Sequence, residues 1–136
     1  MDRTLNSLDA RFRPLAFELL ARLTEAGIMV LVSNTRRTAE EQAAAVARGA
    51  SRVQRSKHQD GLAIDVCPYE TWALHGPDKL QWNISDPVWR RIGQIGEALG
   101  LRWGGRFRPL NAEGMGWDPG HFELRVPAAP VDTLDV

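Results

Sequence analysis

One short run in the chain restricts its fold more than any other, because it is apolar enough to be buried and yet contains a carboxylate. The run from Leu62 to Val66 is typical of a strand in the core of a sheet. Because side chains alternate along a strand, Leu62, Ile64 and Val66 face one side of the sheet. Ala63 and Asp65 face the other. A half-buried carboxylate costs free energy unless it is paired or binds a metal, so the run predicts a partner for Asp65.

Helical patterns lie on both sides of this strand. Apolar residues recur at spacings of three and four over residues 8–23, which predicts a first helix capped by Asn6 or Ser7. Thr38, with Glu41 three residues later, forms a capping-box pattern that predicts a second helix from residue 39 to residue 48.

A third helix is predicted to begin at Asp86-Pro87, where Asp can act as the N-cap and Pro as the first helical residue. Strands are predicted at residues 28–32, 61–67, 101–103 and 121–126. Because helices and strands do not alternate regularly, we expect an α+β fold, with a small antiparallel sheet and flanking helices.

The composition favours a globular protein and disfavours some functions. The 136 residues fit one domain over residues 1–136, large enough to bury a core without disulfides. Seventeen basic and seventeen acidic residues cancel, so the charge does not favour nucleic-acid binding, and Arg102, Arg106 and Arg108 are interpreted as a solvated loop. No apolar stretch approaches the roughly 18 residues of a membrane span, so we expect no membrane insertion. We expect a monomer, with the single cysteine, Cys67, as a small buried residue.

Histidines and aspartates occur at two places that could meet around a metal. His58 precedes Asp65 by seven residues, and His121 enters the last predicted strand three residues after Asp118. A catalytic zinc site takes three protein ligands and one water, and His58, Asp65 and His121 supply three. Asp118 is then a free carboxylate able to take a proton. Taken singly, each residue is more often structural than a metal ligand, and the spacing does not establish that the two segments meet. The remaining histidine, His75, is predicted to lie on the surface.

Three segments resemble the signature of the zinc peptidases that cut peptidoglycan peptides. This family includes D-alanyl-D-alanine carboxypeptidases and dipeptidases and the L-alanyl-D-glutamate endopeptidases of phage lysis cassettes. The matching segments, within a core of about residues 30–125, are Arg37-Thr38 with Gln42, then Ser56-x-His58-x-x-Gly61-x-Ala63-x-Asp65, then Trp103-Gly104-Gly105 with Asp118-x-x-His121-Phe122-Glu123.

The resemblance implies a role for each matching residue. The metal ligands would be His58, Asp65 and His121, holding Zn²⁺ in a surface cleft. The catalytic residues would be Asp118 and Arg37, with the arginine polarising the scissile carbonyl or binding the substrate. Neighbouring Arg36 competes for that role, and the spacing to Gln42 favours Arg37. The substrate-binding residues would be Ser56 and Gln42.

Two departures from the family pattern bear on the branch. The D-x-x-H at Asp118–His121 resembles the L-alanyl-D-glutamate endopeptidases, whereas the carboxypeptidase and dipeptidase branches resemble E-x-x-H. Arg106-Phe107 stands where the family usually has an acidic residue and an aromatic one. The resemblance implies a phage or prophage endolysin that cleaves the L-alanyl-D-glutamate bond of peptidoglycan. The alternatives are a D-alanyl-D-alanine carboxypeptidase and a non-catalytic wall-binding module.

The first residues of the sequence contain no basic segment followed by an apolar one, so no secretory signal is predicted. For an endolysin, this implies a protein that stays in the cytoplasm until a holin releases it to the cell wall.

Overall fold

A computed structural model describes residues 1–53, 55–70 and 80–125 of the chain. Its sheet is antiparallel, with four strands in the order β1-β2-β4-β3. The strands are β1 (Val30–Asn34), β2 (Ala63–Pro68), β3 (Arg102–Trp103) and β4 (His121–Glu123). The predicted α+β fold is confirmed, and β1 begins two residues later than the sequence pattern indicates.

Three α-helices flank the sheet within the described residues: α1 (Arg13–Glu25), α2 (Ala39–Ala47) and α3 (Val88–Ala98). Short 3-10 helices lie at Leu5–Ser7, Lys57–Asp60 and Gly104–Arg106. None of the helices in these parts of the chain is long and apolar enough to cross a membrane.

The first helix begins later than predicted. Leu8 and Phe12 are buried as the spacing indicates, but they precede α1, whose first residue is Arg13. Pro14 lies in the first turn, where its missing N–H costs nothing. The prediction that Asn6 or Ser7 caps this helix is wrong, because the Ser7 hydroxyl donates to the Thr4 carbonyl oxygen at 2.8 Å instead.

The second helix follows its capping pattern. The Glu41 backbone N–H donates to the Thr38 hydroxyl at 3.1 Å, and the Thr38 N–H donates to the Glu41 carboxylate at 2.9 Å. At the third helix, the Asp86 carboxylate accepts from the Val88 N–H at 2.9 Å, so Asp86 satisfies one of the free donors at its start.

The register of β2 and β4 separates an apolar from a polar face. Ile64 lies opposite Phe122, and both are fully buried in the core. Asp65 lies opposite His121 on the other face. The helix α3 packs closely on the apolar face, since a Cβ on Gly96 would come within 2.2 Å of the Phe122 ring. The sheet therefore presents its polar side chains on the face away from this core.

Two residues that the sequence analysis set aside have different outcomes. Cys67 is fully buried in β2, and burial raises the pKa of its thiol to about 11. The prediction of a small buried cysteine is therefore confirmed. The prediction that His75 lies on the surface falls outside the described residues.

Candidate active site

His58 is held by the segment on either side of it. It lies in the 3-10 helix Lys57–Asp60, whose cap, the Ser56 hydroxyl, accepts from the His58 N–H at 3.1 Å. Gly61 ends this helix with a positive φ of 70°, which glycine adopts without strain. The His58 Nδ1 lies 2.6 Å from the Thr35 carbonyl oxygen and must donate to it, since a carbonyl only accepts. This contact turns the Nε2 of His58 toward Asp65, 3.1 Å from its Oδ2.

His121 approaches the same carboxylate from the neighbouring strand. Its Nδ1 lies 3.0 Å from Asp65 Oδ1. Its Nε2 donates to Glu123 Oε1 at 2.8 Å. These two side chains meet because residues two apart on a strand face the same side of the sheet. The rings of His58 and His121 meet edge to face, with their centroids 5.0 Å apart. The two halves of the sequence pattern thus meet at Asp65.

These three side chains fit a metal ion. Each offers a ligand atom, and the ligand atoms all lie within 4.8 Å of one another. His58 Nε2 is buried and makes no hydrogen bond within the part of the chain described here, which leaves a costly orphan unless something binds it. Two imidazoles and one carboxylate are a ligand set that zinc accepts, with a position left for water or substrate.

The charges in the cluster depend on one another. Burial opposes ionisation of Asp65, but the two histidines outweigh it and lower the pKa of that carboxyl group. Burial likewise opposes protonation of His121, and its hydrogen bonds to Asp65 and Glu123 outweigh burial and raise its pKa to about 10. The site is therefore built to hold compensated charge away from bulk water.

Asp118 lies beside this cluster. Its Oδ2 is 3.7 Å from His121 Nδ1, and 34% of its side chain is exposed. Burial, with added repulsion from Asp65, raises the pKa of Asp118 to about 6. A carboxyl group with a pKa near neutrality can both accept and return a proton.

Gly104 and Gly105 allow the loop that carries Asp118 to approach their backbone closely. A Cβ on Gly104 would lie 2.0 Å from the Asp118 carbonyl oxygen, so no larger residue fits there without moving the loop. The Asp118 N–H donates to the Gly104 carbonyl oxygen at 3.3 Å, and the Gly116 N–H donates to that of Gly105 at 2.7 Å. The Trp103-Gly104-Gly105 segment therefore positions the loop that carries Asp118.

Arg37 enters the site from the segment before α2. Its Nη2 lies 3.8 Å from Asp65 Oδ2, and its Nη1 donates to Gln42 Oε1 at 2.6 Å. Arg36 points elsewhere, since its guanidinium donates to the carbonyl oxygens of Ser7 and Gln59. The structure therefore places Arg37, and not Arg36, next to the cluster.

The chain is similar in sequence to known peptidases. The family model described as D-alanyl-D-alanine carboxypeptidase matches residues 48–124, more than half of the chain. The L-alanyl-D-glutamate peptidase of Listeria phage A118 is 32% identical over 105 residues. The chain belongs to the D-alanyl-D-alanine carboxypeptidase family. The resemblance drawn from the sequence motifs is thereby confirmed.

The extent of these matches differs. The phage peptidase alignment covers 74% of this chain but only 34% of the relative, so the chain spans about a third of that protein's length. The Serratia marcescens L-Ala D-Glu endopeptidase ChiX has the same fold, with a TM-score of 0.65 and 21% identity over 89% of this chain and 83% of ChiX. VanYB in complex with D-alanine-D-alanine matches with a TM-score of 0.57 and 19% identity, over 90% of this chain and 75% of VanYB.

In this member of the carboxypeptidase family, the cluster opens onto a cavity of about 350 Å³. Arg37, Ser56 and Asp118 line it together with the three candidate ligands. Gln42 is only 1% exposed, and its Nε2 donates to the Ser51 hydroxyl at 3.0 Å and the Val53 carbonyl oxygen at 2.6 Å. Gln42 therefore holds Arg37 and the segment 51–53 from behind, and does not reach the cavity.

Three residues with a part in the site were given no role by the sequence. Glu123 lies two residues after His121, and this strand spacing was the signal that could have identified it. The interpretation of Arg102 as part of a solvated loop is wrong, because Arg102 lies in β3 with its Nη1 3.3 Å from Glu123 Oε2. The Thr35 carbonyl that orients His58 depends on tertiary packing alone, and no sequence pattern indicates it.

Arg106, which departs from the family pattern, has a structural partner. Its guanidinium donates twice to the Glu97 carboxylate of α3, at 2.8 Å each. It also lies over the Trp103 ring, 5.8 Å from the centroid. The change at Arg106 therefore concerns packing on α3, away from the cavity, whereas Phe107 lines the cavity.

Proposed function

We propose that this protein is a zinc-dependent peptidase that cleaves the L-alanyl-D-glutamate bond of the peptidoglycan stem. The observation that carries the proposal is the convergence of His58, Asp65 and His121 on one point with the free carboxylate of Asp118 beside them. The identity to a phage L-alanyl-D-glutamate peptidase supports the choice of bond.

The metal would be held by His58 Nε2, by the Asp65 carboxylate and by His121 Nδ1. A VanY relative of the same fold, 20% identical with a TM-score of 0.54, has been solved in complex with Zn(II). When bound, zinc would supply Lewis-acid polarisation of the scissile carbonyl and of the attacking water. Thr35 and Glu123 hold the two imidazole rings in the orientation that binding requires.

The chain's own residues would supply proton transfer and charge stabilisation. Asp118 accepts the proton of the attacking water on a carboxylate oxygen and passes it to the leaving nitrogen. Arg37 has a fixed positive charge, and its guanidinium donates to the oxygen that becomes negative as the carbonyl is attacked. Gln42 keeps that guanidinium in place, so we assign Gln42 a positioning role instead of direct substrate binding. Ser56 lines the cavity and also caps the helix of His58.

One alternative has support of its own. The family model and the VanYB complex with D-alanine-D-alanine favour a D-alanyl-D-alanine carboxypeptidase with the same metal site. A non-catalytic wall-binding module is less favoured, because a purely structural metal site has no use for a spare carboxylate that faces a cavity.

Digestion of purified peptidoglycan, followed by mass analysis of the fragments, tests these functions. We expect new N-terminal D-glutamate, lost with a chelator and restored by zinc. Release of free D-alanine would instead assign the protein to the carboxypeptidases. If the folded, zinc-loaded protein cleaves neither bond, the wall-binding module is the remaining function.

We further propose that the protein acts in phage lysis as a monomeric endolysin, with the chain as one catalytic domain over residues 1–136. The phage origin of the relative supports this role. Expression in a bacterial host with and without a holin tests it: lysis is expected only with the holin. Lysis without the holin would contradict the proposed route of release. A dimer on a sizing column would contradict the monomeric state.

A further inference from the structure

We propose that Arg102 binds the free carboxylate of the glutamyl residue on the leaving side of the scissile bond, which makes it a specificity-determining residue. This inference rests on the proposed function and deepens it. It concerns a second cation of the cavity, separate from Arg37, to which no role has been assigned.

Arg102 is held on two sides. It lies in β3 opposite Glu123, and its Nη1 is 3.3 Å from Glu123 Oε2. Its Cζ lies over the Phe107 ring, 4.6 Å from the centroid. A guanidinium has five N–H donors, and Glu123 occupies few of them. The side chain is nevertheless 55% exposed and lines the cavity, so a fixed group with spare donors faces the substrate space.

The contacts of Glu123 place this guanidinium near the reaction. The same carboxylate that receives Arg102 on Oε2 accepts from His121 Nε2 on Oε1 at 2.8 Å. Arg102 is thus separated from a candidate metal ligand by one carboxylate group. The proposal places the leaving side of the substrate in the part of the cavity that Arg102 lines.

The charge of the cavity fits an anionic substrate. Five cationic side chains line it, against three carboxylates: Arg37, Arg55, Lys57, Arg102 and Arg108 against Asp65, Asp118 and Glu123. Two of the carboxylates, Asp65 and Glu123, are already in contact with histidines. The excess of positive charge therefore favours a ligand that carries a carboxylate.

The proposed substrate has a carboxylate at the required place. In an L-alanyl-D-glutamyl bond, the leaving nitrogen belongs to the glutamyl residue. An internal glutamyl residue uses one carboxyl group in the chain and keeps the other free. Arginine recognises carboxylates through paired N–H donors, which a neutral carboxamide cannot match.

The test is a binding measurement that does not depend on turnover. Zinc-loaded Asp118→Asn protein is titrated by calorimetry with two L-alanyl-D-glutamyl peptides, one with the free carboxylate and one with the carboxamide. We expect the carboxylate peptide to bind about tenfold more tightly, as for a charge-assisted hydrogen bond at a half-exposed site. Adding Arg102→Gln should remove the preference.

Arg106→Gln in the same background is the matched control. Arg106 also pairs with a glutamate and lies over an aromatic ring, but it does not line the cavity, so this variant should keep the preference. Zinc content and melting temperature of each variant verify that the fold and metal site persist.

Several results would overturn the assignment of Arg102. One is that Arg102→Gln lowers the affinity for both peptides equally. Another is that the carboxylate peptide does not bind at all. A third is that the preference depends on amidation of the peptide's C-terminus instead of the glutamyl group. Turnover of the carboxylate peptide by the wild-type protein is measured separately and tests the proposed function alone. A wild-type protein that discriminates in binding but does not cleave would reject the function and keep the role of Arg102.

Discussion

Asp118 differs from the three side chains beside it, because a third of it remains exposed to the cavity while they are largely enclosed. At the residue scale, this separates a reacting group from metal ligands. We expect Asp118→Asn to lower kcat by 100-fold or more, since a general base contributes typically 10²–10⁴-fold. Zinc content should not change, because the three ligands remain.

The matched control for this variant is Asp60→Asn, which changes an aspartate paired with Arg55 and outside the cavity lining. It should keep normal turnover. Full activity in Asp118→Asn would show that another group takes the proton.

Glu123 gives a second prediction at this scale. Glu123→Gln replaces the carboxylate that fixes the His121 ring, so zinc affinity should fall about 10–100-fold, the usual effect of losing such a partner. Competition against a chelator of known affinity measures it. Glu97→Gln, which removes the partner of Arg106, is the control. Equal zinc affinity in the two variants would contradict the role of Glu123.

Sequence reasoning reached part of the site at this scale. The convergence of His58, Asp65 and His121 was implied by the resemblance to the peptidase signature, because spacing alone does not establish that the two segments meet. The Thr35 carbonyl could not be, because any residue supplies one and only the fold decides which carbonyl meets His58.

At the scale of elements, α2 supports the site from behind through Gln42. Gln42→Met keeps the volume and removes the hydrogen bonds to Arg37, Ser51 and the Val53 carbonyl. We expect the free energy of unfolding to fall by about 1–3 kcal/mol, because buried polar groups lose their partners. Turnover should also fall, with zinc affinity unchanged. Normal turnover in a folded variant would mean that Arg37 needs no such support.

The loop that carries Asp118 depends on a close approach at Gly104. In Gly104→Ala, the new Cβ would meet the Asp118 carbonyl oxygen, so the loop must move. A displacement of about 1 Å can lower turnover about 100-fold, and kinetics with a defined peptide measure it. Gly27→Ala is the control: its φ of 76° makes the change strained, but nothing lies within 4 Å. That variant should lose stability and keep turnover, and equal turnover in both would contradict the argument.

Element boundaries were predictable where side chains define them. Thr38 and Glu41 fix the start of α2 by their own hydrogen bonds, so its pattern could be read directly. The start of α1 could not be predicted from its pattern. Leu8 and Phe12 have helical spacing and are buried, but they lie in the segment before the helix. Apolar spacing reports burial, and burial does not require a continuous helix.

At the scale of the whole molecule, the sheet brings distant segments to one face. In the strand order β1-β2-β4-β3, the last strand of the sequence, β4, lies beside β2. The register of this pair sets His121 opposite Asp65. The α+β class followed from the order of elements. The strand order did not, because it depends on how all elements pack together.

The most direct test of the central claim uses one synthetic peptide that contains both an L-alanyl-D-glutamyl bond and a C-terminal D-alanyl-D-alanine. The zinc-loaded protein is incubated with it, and the first products are identified by mass spectrometry. The account predicts a fragment that begins with D-glutamate, formed only when zinc is present. Release of D-alanine while the L-alanyl-D-glutamyl bond stays intact would contradict it.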